Sequence, residues 1–345
     1  VINFNRKDKD DGYMRKKVSC SVILLVLLSL LLMGTVHAQT IKKVGQTGLQ
    51  FLTVDVSARA AAMGGAFLMA GQGAEAIAYN PAGMMELDQA QKVDLFATRV
   101  EWIADIAITS VGATVNFDNW GTFGISAIIG DYGTSVGTRV SDNALGYDET
   151  GELDWGSYAI GLSYGRKLSD KFMIGGQAKI AHESLGSSTV DDESVDNAVT
   201  GVAFDFGTIF YPGFRSFRFG MSARNFSPQF KYEEDSFELP LTFRIGVAMD
   251  LLDLTGGSEN SSFLLAIDAI HPRDYTERLH IGGEYWYADL FALRAGYKTN
   301  YDEEGISLGA GIKYDVGGTK LKIDYSYTDL GVFSNVNRFT IGASF

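Results

Sequence analysis

The chain is 345 residues long, with 29 Lys and Arg against 42 Asp and Glu and a formal net charge of −13, which argues against a nucleic-acid partner. Aromatic residues make up 12%, with 16 Tyr and 22 Phe, and 40 Gly stand beside only 5 Pro. A Gly content above the usual ~7% without Pro speaks against disorder and for tightly paired strands. Beyond one apolar run near the amino end, no stretch approaches the roughly 18 apolar residues of a helical membrane span.

That run has a leader's organisation. Arg15, Lys16 and Lys17 precede apolar Val18 to Met33, and Val36-His37-Ala38 is a small-x-small cleavage site. Residues 1–38 are therefore expected to be an upstream extension plus a signal peptide, with the start at Met14 and cleavage after Ala38. A signal anchor competes, but the run is short for a spanning helix. Lipid attachment at Cys20 would need that residue at the other end of the run. Six Lys/Arg and three Asp/Glu fall within residues 1–38, leaving 23 against 39 and a net −16. No cysteine remains, which excludes disulfides, thiolate metal sites and cysteine nucleophiles in the mature chain.

Residues 39–92 do not read as strands throughout and are expected to form a small N-terminal plug or periplasmic cap. Gly48 to Val54 reads as extended, Ala58 to Ala70 is rich in Ala, Met and Gly, and Ala74 to Tyr79 is a short helical candidate that Pro81 stops. Gly83 then offers a residue for a positive-φ turn.

From Val93 to Phe345 a period of two recurs through about fourteen segments. An even number of such strands, alternating between lipid and a polar lumen, predicts an all-β fold: a transmembrane antiparallel β-barrel over residues 93–345. Closure is required because an open sheet edge cannot persist in lipid. Short turns such as Ser169-Asp170-Lys171 and Val316-Gly317-Gly318 alternate with longer linkers such as Gly137 to Trp155 and Ser184 to Ala198. Leu252 to Ser261 is long where a short turn is expected. An even count brings both ends to one side, taken as periplasmic, in a bacterial outer membrane. In the last strand Phe339, Ile341 and Phe345 fall on the lipid face, and this terminal pattern is expected to be the barrel-assembly signal. The opposite faces place Arg218, Arg244, Asp268, Glu284, Arg294, Lys298, Lys313, Lys322 and Asp324 toward the lumen, together with Lys179, Asp205 and Arg224. Their mixed signs predict cross-strand pairing. Inward glycines such as Gly220, Gly246, Gly282 and Gly309 leave room in the lumen or allow sharp coiling.

Chemistry-bearing motifs are weak. Two G-x-S-x-G matches, Gly161 to Gly165 and Gly305 to Gly309, lie in alternating strands with no helix following, where a nucleophile elbow is not made. His182, His271 and His280 have no metal-ligand spacing. No catalytic residue, cofactor or metal is expected.

The most specific feature is a set of short runs: Phe51-Leu52, the stretch Ala58, Arg59 through Met63, Gly64 and Gly65, and Asn80-Pro81-Ala82-Gly83. Over about residues 48–85 the chain resembles the PorV/PorQ family, within the wider group of barrels like the FadL long-chain fatty-acid transporter. The resemblance implies a non-enzymatic outer-membrane component associated with type IX secretion, binding exported proteins or the surface-attachment machinery. The alternative is FadL-like uptake of hydrophobic small molecules. Expected partners are outer-membrane lipid, the barrel-assembly machinery, and secreted cargo proteins or other secretion-system components, with a hydrophobic ligand under the alternative.

Overall fold

Period-two alternation from Val93 onward becomes paired strand in the computed structural model, which describes residues 45–345 other than 88, 89, 154, 191, 192, 233, 234 and 259. The expected leader over residues 1–38 lies outside the described residues. The barrel strands are β1 Val93–Glu101, β2 Ala107–Asn116, β3 Thr122–Asp131, β4 Trp155–Ser169, β5 Phe172–Val190, β6 Glu193–Phe210 and β7 Arg218–Phe226. They continue as β8 Thr242–Asp250, β9 Ser261–Pro272, β10 Arg278–Tyr287, β11 Phe291–Lys298, β12 Ile306–Val316, β13 Thr319–Asp329 and β14 Asn335–Ser344.

Each strand pairs antiparallel with its sequence neighbours, and β14 closes on β1 from Asp94↔Ser344 to Glu101↔Asn337. The result is a closed fourteen-stranded barrel without an edge. Phe345 extends the closing seam: its N–H donates to the Val93 carbonyl at 2.9 Å, and its own carbonyl accepts from Lys92 and Val93 at 2.8 Å. Register shifts interrupt the ladder between Lys167 and Ser169, between Ser184 and Ser187, and, in the β6–β7 pair, between Phe204 and Phe206, opposite Asn225 in the left-handed region at φ 61°.

Two linkers expected to be irregular are largely strand. β5 and β6 run on past Glu183 and Val199 as a protruding ribbon, and Ser135–Val140 pairs with Tyr147–Leu153 within the β3–β4 connection. The ribbon of Ser135–Val140 and Tyr147–Leu153 lacks a buried face along most of its length, so hydrophobic periodicity has nothing to report there.

Facing follows the alternation. Phe291, Leu293 and Tyr297 are exposed on the outer wall, as are Leu321, Ile323, Tyr325 and Tyr327, and Phe339, Ile341 and Phe345. Among the described residues no helix is long and apolar enough to cross a membrane.

The lumen is filled. Buried apolar clusters join Phe51, Leu52, Met63, Phe67, Leu68 and Tyr79 of the leading segment to wall residues such as Ala203, Met173, Ile209 and Ala266. That segment contains helix α1, Ala58–Ala62, helix α2, Gly73–Ala76, and single-turn 3-10 pieces at Gln50–Thr53 and Pro81–Met85. The expected extension over Gly48 to Val54 is therefore corrected: Leu49 takes a left-handed conformation at φ 54° and starts a 3-10 turn. The segment threads the barrel lengthwise. Gly48 donates to the Glu238 carbonyl at 3.1 Å in the β7–β8 connection, whereas Lys92 joins β1 at the opposite end, beside Phe345. The segment, called the plug below, packs against the inner wall of the barrel. An even strand count brings the outer ends of β1 and β14 together but does not govern the threaded segment, whose first described residues lie at the other end.

Because Leu293 is 66% exposed on the outer wall, Leu293→Arg should cost about 2–4 kcal/mol of insertion if it lies near the bilayer midplane. Lys313 faces inward, paired with Asp289. Lys313→Gln should accordingly leave the heat-modifiable folded fraction in membranes near wild type while Leu293→Arg lowers it several-fold. The reverse order would mean a register shifted by one.

Candidate functional site: a plugged lumen beneath a cationic cavity

Steric fit holds the plug first. At Gly282, Gly296 and Gly309 an added Cβ would come within 3.0 Å of Met63, Gly64 and Ala62, and at Gly175 and Gly207 it would strike Pro81 and Asn80. Gly220 and Gly246 make the same allowance for Met69 and Leu68. These inward glycines are thus the grooves into which the plug settles, by its backbone at Gly175, Gly282 and Gly296 and by side chains at Gly207, Gly220, Gly246 and Gly309. On the plug side Gly64 and Gly65 adopt φ 61° and 73°, the left-handed turn that ends α1 and brings its backbone against β11. Gly83 does not take the positive-φ conformation expected for it. It lies inside the 3-10 turn Pro81–Met85 and is small because a Cβ would meet Ala76 and the Gly71 carbonyl.

Polar anchors supply the second layer. The Arg59 guanidinium donates two hydrogen bonds of 2.7 Å to the Glu284 carboxylate, which also accepts from Arg294 at 2.6 Å, and Arg294 continues to Asp324 at 2.7 Å. Lys298 donates to Asp55 at 2.9 Å and to Glu304. Asp268 accepts from the Leu68 N–H at 2.9 Å, and Asp94 from the Ala74 N–H at 2.7 Å. Asn80 caps the Pro81 turn by accepting from the Ala82 N–H, while its amide donates to the carbonyls of Leu68 and Thr208. A buried polar group left without such partners would cost several kcal/mol. The pairs predicted between strands exist, as in Lys179–Asp205 at 2.7 Å, but several inward charges serve the plug instead.

Above the plug, at the end bearing the longer loops, lies a cavity of about 240 Å³. Leu52 to Asp55 of the plug form its floor. Arg224, Arg244 and Lys298 line its wall, and Arg278, Tyr275, Tyr301 and Glu304 its rim. Burial acts to raise the Asp55 carboxyl, but Lys298, Arg244 and Arg338 overcome it and hold Asp55 well below the usual carboxylate range. The floor therefore stays ionised. Within the described residues, no group of His, Cys, Asp or Glu is arranged to hold a metal ion.

The residues of the family-like motif come together: Phe51, Leu52, Ala58, Met63, Gly64, Gly65, Asn80, Pro81, Ala82 and Gly83 are all buried in the plug, and Arg59 anchors it. Arg244, Asp268, Glu284, Arg294, Lys298 and Asp324 point into the lumen and are buried. Arg218 donates to the Met69 carbonyl at 2.7 Å, Lys322 lies 3.6 Å from Asp94, and Lys313 sits at the turn end beside Trp286. Sequence reading missed the cavity itself. Arg278 precedes the periodic core of β10, and Asp55 carries no periodic signal at all.

Two predictions follow from the plug seat. Gly296→Ala should drive a Cβ into the Gly64 backbone, an overpacking of about 1–3 kcal/mol that displaces the plug and leaves the barrel folded. Single-channel conductance and protease cleavage within residues 45–85 should rise, whereas Gly305→Ala, whose nearest neighbour would lie at 3.7 Å, should resemble wild type. The second concerns Glu75 in α2. Burial, with the Asp324 carboxylate, pushes its carboxyl from 4.5 up to about 7, opposed by Lys322 and Arg59, with Asp94 adding to the rise. A carboxyl that holds its proton more tightly in the seated plug contributes most below about pH 4.5, and that contribution is lost as pH rises through about 7. Conductance should therefore increase between pH 5 and 8, and Glu75→Gln should flatten the increase.

No protein-family model and no curated protein sequence matches the chain. Solved structures do. The chain resembles the toluene transporter TbuX of Ralstonia pickettii with a TM-score of 0.51 at 14% identity, covering 83% of this chain and 96% of that one. Weaker likenesses are a FadL homologue of Pseudomonas aeruginosa, TM-score 0.47 at 14% identity over 80% and 94%, and the toluene transporter TodX of Pseudomonas putida, 0.48 at 12% over 77% and 90%. At such identities the likeness to TbuX is one of fold: a transmembrane β-barrel of the kind found in outer membranes.

Proposed function

We propose that the protein is a FadL-like outer-membrane transporter that admits a small, largely hydrophobic solute, drawn here with its plug seated. The observation that carries this reading is the fold, a fourteen-stranded barrel that superposes on nearly the whole of a toluene transporter. Its orientation follows the general pattern of such barrels, with short turns and the carboxyl end periplasmic and the longer loops outside. A feature of the wall agrees with release of an apolar solute sideways. Across the seam of β13, β14 and β1 the outer face carries an apolar groove of about 400 Å³ lined by Leu95, Ala97, Leu321, Ile323, Ile341 and Ala343. Gly342, with no side chain, lies in its floor. All strands remain paired there, so passage requires the plug to move and the seam to loosen.

A second reading, a PorV/PorQ-like secretion component that binds exported proteins through its loops, is favoured by one observation. Ordered β-ribbons project from the loop end above a filled lumen, as a rigid binding platform would.

Paired measurements separate them. In the native host, Gly296→Ala should change uptake of labelled toluene and laurate at least several-fold and leave surface-protein yield unchanged. Replacing Ser135 to Leu153 with a short Gly/Ser link should leave uptake intact. Loss of surface-protein yield in the ribbon replacement, with normal uptake in both variants, would overturn transport in favour of secretion.

A further inference from the structure

We propose that the loop-end cavity is a binding site for a small, densely charged oxyanion, held by Arg224, Arg244 and Arg278. Eight of its twenty lining residues are charged, five cationic and three anionic, in a chain whose overall charge is strongly negative. The three acids are already engaged. Asp55 and Glu304 share Lys298, and Asp274 accepts from Thr47 at 2.5 Å and from Gln50 at 3.2 Å. Arg338 is also committed, donating to the Asp55 carbonyl at 2.9 Å and to Thr328 at 3.0 Å.

The remaining three guanidinium groups have no such match. Among the described residues, Arg224 donates to the Leu52 carbonyl at 3.2 Å and lies 5.8 Å from the Tyr79 ring centroid, and Arg244 donates to the Gly65 carbonyl at 3.4 Å. Arg278 lies against the rings of Tyr275 and Tyr301, 4.2 and 3.9 Å from their centroids. Among the described residues none of the three forms an ion pair, and the Nε of each is shut off from solvent without a hydrogen-bond partner. Arg224 and Arg244 are 6% and 7% exposed, so water does not screen them. Asp55, Asp205 and Asp268 act on Arg224 and Arg244 only from a distance, each being bonded to another group, and three guanidinium groups facing one cavity without a direct ion pair favour an anion there. The guanidinium fork matches the oxygens of a carboxylate or a phosphate.

Size and lining narrow the class. A space of about 240 Å³ corresponds to roughly eight waters at ~30 Å³ each. Its apolar lining is scattered among Leu52, Val54, Trp102 and Ile270, with no continuous strip to take an acyl chain. A compact polycarboxylate or a phosphate fits; a long-chain amphiphile does not. This inference is independent of the transport reading, because binding is measured on isolated protein without any flux.

The test is titration calorimetry of the purified full barrel in nanodiscs with citrate, inorganic phosphate and laurate, at two salt concentrations. Saturable binding of citrate or phosphate, weakening with salt, is expected, and the tighter of the two identifies carboxylate or phosphate as the recognised group. Arg278→Gln and Arg244→Gln should each weaken it about tenfold or more, the loss of one charge-assisted contact. Since Arg244 also holds the plug, Arg278→Gln, which bonds no plug atom, is the decisive variant, and Lys313→Gln at the opposite end should bind as wild type. No saturable binding of either anion, unchanged binding in Arg278→Gln, or preference for laurate would overturn the proposal.

Discussion

The structure depends on a steric constraint: the plug backbone and the barrel wall approach so closely that neither tolerates a side chain between them. At Gly296 against Gly64, a Cβ has no place to go. Close packing of this kind has two consequences. It excludes water, which makes each hydrogen bond and ion pair behind it stronger and each missing one more costly. It also makes the seat cooperative, since the same short segment touches β8 through Leu68, β10 through Met63, β12 through Ala62 and β5 through Pro81. A plug held at so many points leaves as a unit or not at all.

Charge then refines what shape has fixed. The inward charges divide by depth. In mid-lumen, Arg59, Glu284, Arg294 and Asp324 form one alternating chain in which every charge faces its opposite. Toward the turn end Glu75 lies near Asp94 and Asp324, two further carboxylates, with Lys322 offering compensation. Toward the loop end the balance reverses and cations exceed acids. A lumen with neutral middle, acidic base and cationic mouth is a graded path. Its middle carries the seat, and its ends carry the sensitivity to protons and to anions.

Much of the fold was legible in the sequence because a barrel strand obeys a simple rule, lipid on one side and polar lumen on the other. Leu293 beside Arg294 and Ile323 beside Asp324 state that rule directly. Where the rule lapses, legibility lapses. Ribbons exposed on both faces, such as Tyr147–Leu153, have no contrast to display. Within the plug, propensity gave one helical candidate, Ala74 to Tyr79, which overlaps α2, and named none at α1; Leu49 and the Gln50 turn are dictated by tertiary contacts: the Leu49 N–H donates to Glu183 at 3.3 Å and Leu49 packs with Phe230 and Leu239. Local sequence carries no trace of those. Gly83 shows the same limit from the other side, since its need for smallness comes from Ala76 and Gly71 and not from its own φ.

The cavity was illegible for a deeper reason. Periodicity assigns a residue to a face but says nothing about partners, and Arg224, Arg244 and Arg278 differ from Arg294 only in what stands across from them. Arg294 meets Glu284 and Asp324 on the flanking strand and one strand beyond. Across from Arg224 and Arg244 are Thr242 and Ser222, which offer hydroxyls but no charge. A sequence can therefore predict inward cations and still miss a site, because the neighbouring carboxylates Asp205 and Asp268 are bonded to Lys179 and to the Leu68 N–H and form no ion pair with these arginines. The plug presents carbonyl oxygens to these arginines at Leu52 and Gly65, which orient them, while its Asp55 carboxylate bonds to Lys298 instead. Orientation without a direct ion pair is the condition under which a buried guanidinium is left to bind something else.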